Sequence, residues 1–290
     1  MPKANGKKYN ELTKEDKDKI IELYSSGLTY KEVMDKFPIT KRALPKVISE
    51  YGINAKRKNK YTLNENYFEN ITTEHQAYWL GFIAADGCIT DTNYFAISLK
   101  DKDVLMQLKA DINFSGDIYS PKNNQGVYYR INFSSEKFCN DLRKIGITER
   151  KSLSYNKLPN IRHGLIRHFI RGYFDGDGTI YSSTTKTYNP KNVSITENYA
   201  MKIIATKEFC KELTDEIFSE IGYVGKIVKS KSEHMYYYSI YKNQALKDFY
   251  WYLYHNSSIY LKRKHKIWLN FLGSLEEKSS MEKQGELLEG

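Results

Sequence analysis

HFIRGYFDGDGTI, His168 to Ile180, reads as a helix that stops at an acidic residue, and AYWLGFIAADGCI, Ala77 to Ile89, is a near-copy of it. Aligned on their Asp-Gly endings, the copies place Gly81 over Gly172, Ala85 over Gly176, Asp86 over Asp177 and Gly87 over Gly178. Small residues therefore recur at i and i+4. On a helix that spacing makes one flat stripe along which two helices can bring their backbones close. Trp79, Phe82 and Ile83 in one copy, and Ile170, Tyr173 and Phe174 in the other, flank the stripe and would bury it. A single Asp-Gly is a common helix stop, because Gly supplies the left-handed residue. Two copies 91 residues apart, with the stripe repeated, point instead to a composite site.

At the meeting of the two helix ends, Asp86 and Asp177 would face each other. Each stands at a helix C-terminus whose partial charge is already negative. Carboxylates so placed repel and raise each other's pKa unless a cation lies between them. Oxygen-only ligands suit Mg²⁺, which keeps several waters and also binds phosphate. The chemistry to expect is that of a divalent-metal phosphodiesterase centre.

WLGFIAADG and IRGYFDGDG resemble the paired signature of the LAGLIDADG homing endonucleases, with all nine motif positions occupied and the Asp-Gly ending intact. The resemblance covers roughly residues 75 to 272. It implies an α+β class: a pseudo-twofold duplicated αββαββα LAGLIDADG fold with saddle-shaped antiparallel sheets. It also implies metal binding by Asp86 and Asp177, helped by the backbone oxygens of Ala85 and Gly176. The implied activity is Mg²⁺-dependent cleavage of double-stranded DNA by a monomer, leaving short 3′ overhangs, and the implied biology is mobility of an intron or a free-standing gene. Because the halves differ in sequence, the target should be long and non-palindromic. Each half also has a lysine after its closing helix, Lys151 in TERKSLSYNKLP and Lys262 in IYLKRKHKIW. Both phrases resemble those the family uses to bring a lysine to the metal centre, where it could polarise water or stabilise charge building on phosphorus. Lys264 competes with Lys262 for that place.

The formal net charge of +10 and 25 tyrosines point to a polyanionic partner, since ring faces among Lys and Arg suit nucleic acid. Cys88, Cys139 and Cys210 are widely separated and show no CxxC, which argues against zinc and a disulfide framework and for a reducing compartment. The opening MPKANGKKYN is polar and no apolar run approaches membrane-spanning length, so the expectation is a cytoplasmic protein, with an organelle or a phage-infected host as the alternative setting.

Residues 1 to 60 hold fifteen Lys/Arg against eight Asp/Glu, +7 of the total. Thr13 can cap a first helix that Gly27 ends; Thr29 opens a second that Pro38 stops; Thr40 begins a third carrying Leu44, Val47 and Ile48. A tight turn before the last helix makes a helix-turn-helix pattern, similar to units in resolvases and transposases. That reading puts Lys41, Arg42 and Lys46 near DNA, with Lys56, Arg57, Lys58 and Lys60 as a basic arm along phosphates or in a minor groove.

Residues 61 to 74 show no period and read as a linker. The first half, 75 to 160, continues after its motif with a strand in which Phe95, Ile97 and Leu99 alternate. A helix from Asp101 to Phe114, strands at Asp117 to Ser120 and Val127 to Phe133 joined across SPKNNQG, and a helix from Ser135 to Ile145 follow. The second half, 161 to 274, repeats the order with strands at Thr179 to Ser183 and Asn198 to Thr206 around a long polar insertion. A helix from Lys207 to Ile221, strands at Gly225 to Lys229 and Met235 to Tyr241, and a helix from Gln244 to Tyr254 complete it. The faces of Tyr236 to Tyr238 stay unassigned. The uncovered sheet side would show Tyr128, Arg130, Asn132 and Lys202 to the major groove. Residues 275 to 290, with five Glu and two Lys, read as a mobile tail.

Two rivals remain for function: an RNA-binding intron maturase, and a non-cleaving transcriptional regulator. His255-Asn256-Ser257 imitates the end of an intein, but an intein would stop at that Asn and begin with Cys or Ser, so this reading is set aside.

Overall fold

The computed structural model describes residues 6–53, 61–121, 127–188 and 193–288. The chain divides into two compact units, 1–60 and 61–290.

The first unit is helical: α1 (Lys14–Ser25), α2 (Tyr30–Lys36) and α3 (Ala43–Glu50). Thr13 and Thr29 start α1 and α2 with reciprocal capping, their hydroxyls accepting from the N–H groups of Asp16 and Glu32 while the carboxylates reach back. Gly27 takes a φ of 94°, which lets the chain leave α1. Ile20, Val33, Phe37, Ala43, Leu44, Val47 and Ile48 meet in one small core. The third helix begins at Ala43 rather than at Thr40, whose carbonyl instead closes a turn onto the Ala43 N–H. Pro45 then falls in the first turn, where its missing N–H has no intrahelical partner to lose.

In the second unit, α4 (Glu74–Asp86) leads into β1 (Gly87–Ile89) and β2 (Tyr94–Leu99). Then come α5 (Lys102–Asp111), β3 (Tyr129–Ser134), α6 (Glu136–Lys144) and the single turn α7 (Lys151–Ser154). The repeat follows with α8 (His163–Asp177), β4 (Gly178–Tyr188), β5 (Val193–Ala205) and α9 (Lys207–Ile221). It closes with β6 (Lys226–Lys229), β7 (Tyr236–Ile240), α10 (Asn243–Tyr254) and α11 (Lys262–Leu288). One antiparallel sheet has the order β1-β2-β3 and the other β4-β5-β7-β6. This is the α+β class with two antiparallel sheets that the sequence predicts.

Four local expectations change. The predicted strand Asp117 to Ser120 shrinks to one bridge between Tyr119 and Arg130, because Pro121 next to it has no N–H to extend a ladder. The polar insertion after the second motif is strand: β4 and β5 pair continuously from Gly178↔Ile203 to Tyr188↔Val193. Residues 61 to 74 are packed, with Phe68 fully buried and the Tyr61 hydroxyl bonded to the Ser134 carbonyl, so aromatic anchors stand where periodicity shows nothing. Helix α11 runs on through residues 275–288. The tyrosine run resolves with Tyr238 fully buried and Tyr236 and Tyr237 half-buried. The three cysteines are free, and among the described residues no helix is long and apolar enough to cross a membrane.

Helices α4 and α8 are the axis of this unit. Eight residues of α4, Ala77 to Ala84, and the run Leu165–Asp175 of α8, apart from Arg167, are buried. A Cβ on Gly81 would overlap the Phe169 carbonyl oxygen, and one on Gly172 would overlap the Tyr78 carbonyl oxygen. The reciprocity is the pseudo-twofold relation expressed in atoms. It requires glycine at both positions, since backbone cannot yield as a flexible side chain can.

Candidate metal centre

Each motif helix ends in its Asp and passes at once into a strand through a Gly in extended conformation, φ −72° at Gly87 and −90° at Gly178. The left-handed stop anticipated for Asp-Gly is absent. These glycines are needed for space instead: a Cβ at Gly178 would overlap the Phe174 ring, and one at Gly87 would come to 2.6 Å from the Ile83 side chain.

The stripe carries the two ends together. A Cβ on Gly176 would collide with the Ala85 Cβ and lie 3.3 Å from Asp86 Oδ2, so the end of α8 touches the end of α4. Asp86 reaches solvent at the rim and Asp177 is half-buried. Burial, and after it the Asp86 charge, pushes the Asp177 carboxyl up to about 6. Asp86 is raised as well, by surrounding protein mass, against the pull of Lys264, Lys151 and Arg263. Two raised carboxylates at touching helix ends, Asp86 disfavouring ionisation of Asp177, form a set of donors that a divalent cation would satisfy.

Both ends also receive a lysine. Lys151, 7% exposed, points its ammonium from α7 to the Ala85 carbonyl oxygen at 2.5 Å. Lys264, 5% exposed, lies 2.5–3.2 Å from the carbonyl oxygens of Phe174, Asp175, Gly176 and Gly178. Burial lowers both amines, Lys264 to about 8. The structure therefore brings Lys151 to the site and corrects the second lysine. Lys262, with a side chain 79% exposed, pairs with Asp103 at 3.2 Å. The signal that would have found Lys264 is helical spacing, because Lys264, Trp268 and Phe271 stand at i, i+4 and i+7 and share the buried face of α11.

The Ala85 and Gly176 carbonyl oxygens, assigned to metal by the resemblance, accept from these two lysines. A carbonyl oxygen has two lone pairs, so donation by lysine leaves one for a cation. The donor set, two carboxylates and two carbonyls with no nitrogen or sulfur, fits a hard ion such as Mg²⁺. Beside it opens a cavity of about 210 Å³ lined by Ala85, Lys151, Tyr173, Asp177, Thr206 and Met235.

The polar candidates on the sheets belong to the sheets whose first strands, β1 and β4, leave the two motif ends. Arg130 and Asn132 are half-buried on β3, opposite Ser98 and Ala96 of β2, and Tyr128 is half-buried just before that strand. Lys202 stands between the rings of Tyr181 at 4.8 Å and Tyr237 at 5.4 Å, with Thr179 and Ser239 opposite it in register. Exposed Lys226 extends this row on β6, an addition that follows only from the register. In the first unit Lys41, Arg42 and Lys46 are exposed, and Lys46 lies 5.7 Å from the Tyr9 ring. Lys56, Arg57, Lys58 and Lys60 lie outside the described residues.

Residues 164–253 match the model of the LAGLIDADG-like domain. The fold is similar to that of the I-LtrWI LAGLIDADG homing endonuclease bound to target DNA, at 14% identity and a TM-score of 0.52, covering 74% of this chain and 92% of that one. It is also similar to the I-AabMI LAGLIDADG meganuclease bound to uncleaved DNA, at 13% identity and a TM-score of 0.50, covering 72% and 92%. A curated relative, the "Probable translation initiation factor IF-2" of Methanocaldococcus jannaschii, is 28% identical over 184 residues. The match takes in 59% of this chain but spans only 14% of that protein's length.

Proposed function

We propose that this chain, a LAGLIDADG protein by domain match and by fold, is a site-specific endonuclease that hydrolyses both strands of a long, non-palindromic DNA duplex with Mg²⁺. The observation that carries the reading is the convergence of Asp86 and Asp177 at touching helix ends, each motif end served by its own buried lysine.

In this reading Asp86 and Asp177 hold the ion, with the Ala85 and Gly176 carbonyls beside them. Bound there, the ion would supply Lewis-acid chemistry that activates water and stabilises a departing 3′ oxygen. Lys151 and Lys264 place positive charge against each motif end, where negative charge grows on the phosphate. The low-dielectric surroundings make that charge count for more than it would in water. Arg130, Asn132, Tyr128, Lys202 and Lys226 contact the duplex from the sheets. The protein acts as a monomer, its two unlike halves reading unlike half-sites.

The deciding experiment incubates the chain with a randomised duplex pool in Mg²⁺ or Ca²⁺ and sequences the cut ends. One long asymmetric site with short 3′ overhangs, cut in Mg²⁺ only, is the expected outcome. No cut duplex together with tighter binding to a structured intron RNA would establish the maturase instead, and duplex binding without cutting in any divalent ion would establish a regulator.

Three further results are expected. Lys264→Met lowers single-turnover cleavage by about 10²-fold, the loss of one preorganised charge, whereas Lys262→Met stays within about twofold because an exposed ion pair contributes little. Equal effects of the two would remove Lys264 from the site. Deleting residues 1 to 60 makes the dependence of binding on salt shallower, since fewer counterions are released; an unchanged slope in a filter-binding series would free that unit of DNA contact.

The third concerns pH. A carboxyl whose folded pKa is raised costs native stability where it is ionised, so the metal-free protein gains from Asp177 as pH falls through about 6. Mg²⁺ competes with that proton, and its stabilisation should be larger above pH ~7 than below pH ~5. Melting curves with and without Mg²⁺ at both values test this, and an equal shift at both would place the ion elsewhere.

A further inference from the structure

We propose that Asp175 is a positioning residue: from the last turn of α8 it clamps the start of α11 and so holds Lys264 against the second motif end, a device the first motif lacks. In the aligned copy its place is taken by Ala84. The inference rests on the nuclease reading for its consequence, though not for its geometry.

Asp175 is 1% exposed, and one carboxylate oxygen, Oδ2, accepts from the Leu261 N–H at 2.7 Å and from the Tyr78 hydroxyl at 2.9 Å. Leu261 directly precedes α11, so the carboxylate sits where the positive end of that helix dipole favours an anion. Lys264 follows within the first turn, its N–H returning to the Leu261 carbonyl at 3.0 Å. Fixing Leu261 therefore fixes the Lys264 backbone. The other carboxylate oxygen, Oδ1, is buried without a hydrogen-bond partner. A neutral side chain could supply the two bonds of Oδ2; leaving a buried carboxylate oxygen unpaired is costly unless its charge is used. The nearby cations are Lys264 and Arg171.

Arg171 secures the same connector from one turn earlier. Fully buried, it donates to the carbonyl oxygens of Leu253 at 2.7 Å and Ile259 at 2.9 Å, and to Glu74 Oε1 at 2.6 Å. Glu74 in turn accepts from the Ser258 N–H at 2.8 Å. The segment leading to α11 is thus tied to α8 and α4 from 253 to 261. Lys151 has a lighter mounting: its α7 is one turn long, and its ammonium donates to the Ala85 carbonyl. The two lysines are unequally held, so loss of the clamp should uncouple the two half-sites.

The test compares wild type, Asp175→Ala and Asp175→Asn, each checked for folding by circular dichroism. Lysine acylation followed by mass spectrometry reads Lys264 and Lys151 separately, and a plasmid assay reads each strand. In Asp175→Ala, Lys264 labelling should rise about tenfold, the loss of one buried charged hydrogen bond, with Lys151 unchanged. One strand should then be cut more slowly than the other, so that nicked circles accumulate. Asp175→Asn, which can keep the Leu261 bond, should give a smaller rise of about threefold, and it decides the matter if the Ala variant does not fold. Unchanged Lys264 labelling in a folded variant overturns the clamp, as does an equal rise at both lysines with both strands slowed alike. A wild type that cuts no duplex sinks the nuclease reading, and the labelling comparison then settles the clamp by itself.

Discussion

Asp177→Asn, and separately Asp86→Asn, should lower duplex cleavage by about 10³-fold or more while target affinity in Ca²⁺ stays within about threefold. The asymmetry follows from where the groups sit. Both carboxylates lie at the ends of α4 and α8, and Arg130, Asn132 and Lys202 lie out on the strands, so the substitution removes charge from the centre and leaves the sheets unaltered. Asn retains the volume and one oxygen but cannot balance a divalent cation. It also removes a carboxylate that burial, and after it the repulsion between Asp86 and Asp177, disfavours at this site, so the metal-free variant should melt no lower than wild type. Single-turnover kinetics on a labelled duplex, gel-shift titration and a melting curve check the three parts. Cutting at the wild-type rate in either variant would take that Asp out of the metal site, and loss of binding together with cutting would assign it to structure.

Gly81→Ala is the second large effect, this time on stability. The new methyl group would overlap the Phe169 carbonyl oxygen of the facing helix, with the Tyr173 nitrogen 2.8 Å away, and neither can swing aside. The helices must separate, opening a core that includes Trp79, Phe82, Phe169 and Phe174. A net loss of about 3 kcal/mol is expected, overpacking outweighing the roughly 1 kcal/mol that Ala gains in helix propensity. Gly172→Ala should match it, because Gly172 faces the Tyr78 carbonyl in the same way. Gly164→Ala is the control: it lies in the exposed first turn of α8 with nothing within 4 Å of the added carbon, and should be neutral or slightly stabilising. Urea denaturation separates the cases, and a Gly81→Ala midpoint like that of Gly164→Ala would contradict the close approach.

Much of the second unit is legible one residue at a time, because period carries it. Lys207 to Ile221 is a helix over the predicted range, and Phe95, Ile97 and Leu99 are the buried face of their strand. What escapes is structure set by partners. The β4–β5 pairing beyond residue 183 carries no buried apolar face, Tyr188, Val193 and Ile195 being exposed, and its register runs from Thr184↔Glu197 to Tyr188↔Val193. The segment 61–74 is anchored by Tyr61, Tyr67 and Phe68 at spacings that match no regular element.

The candidate site divides along the same line. Two motifs, their small-residue stripe and their terminal aspartates are local patterns, and a reading of the chain alone determined the duplicated α+β fold and placed Asp86 and Asp177 together. The burial of Lys264 while Lys262 stays exposed, the lysine contacts to the Ala85 and Gly176 carbonyls, and the Asp175–Leu261 hydrogen bond are visible only in three dimensions. The physical reason is that a helix's period says which residues share a face but not which face is turned inward; α11 has lysines two apart at its start, and burial of Trp268 and Phe271 against the core selects the one that reaches the end of the second motif helix.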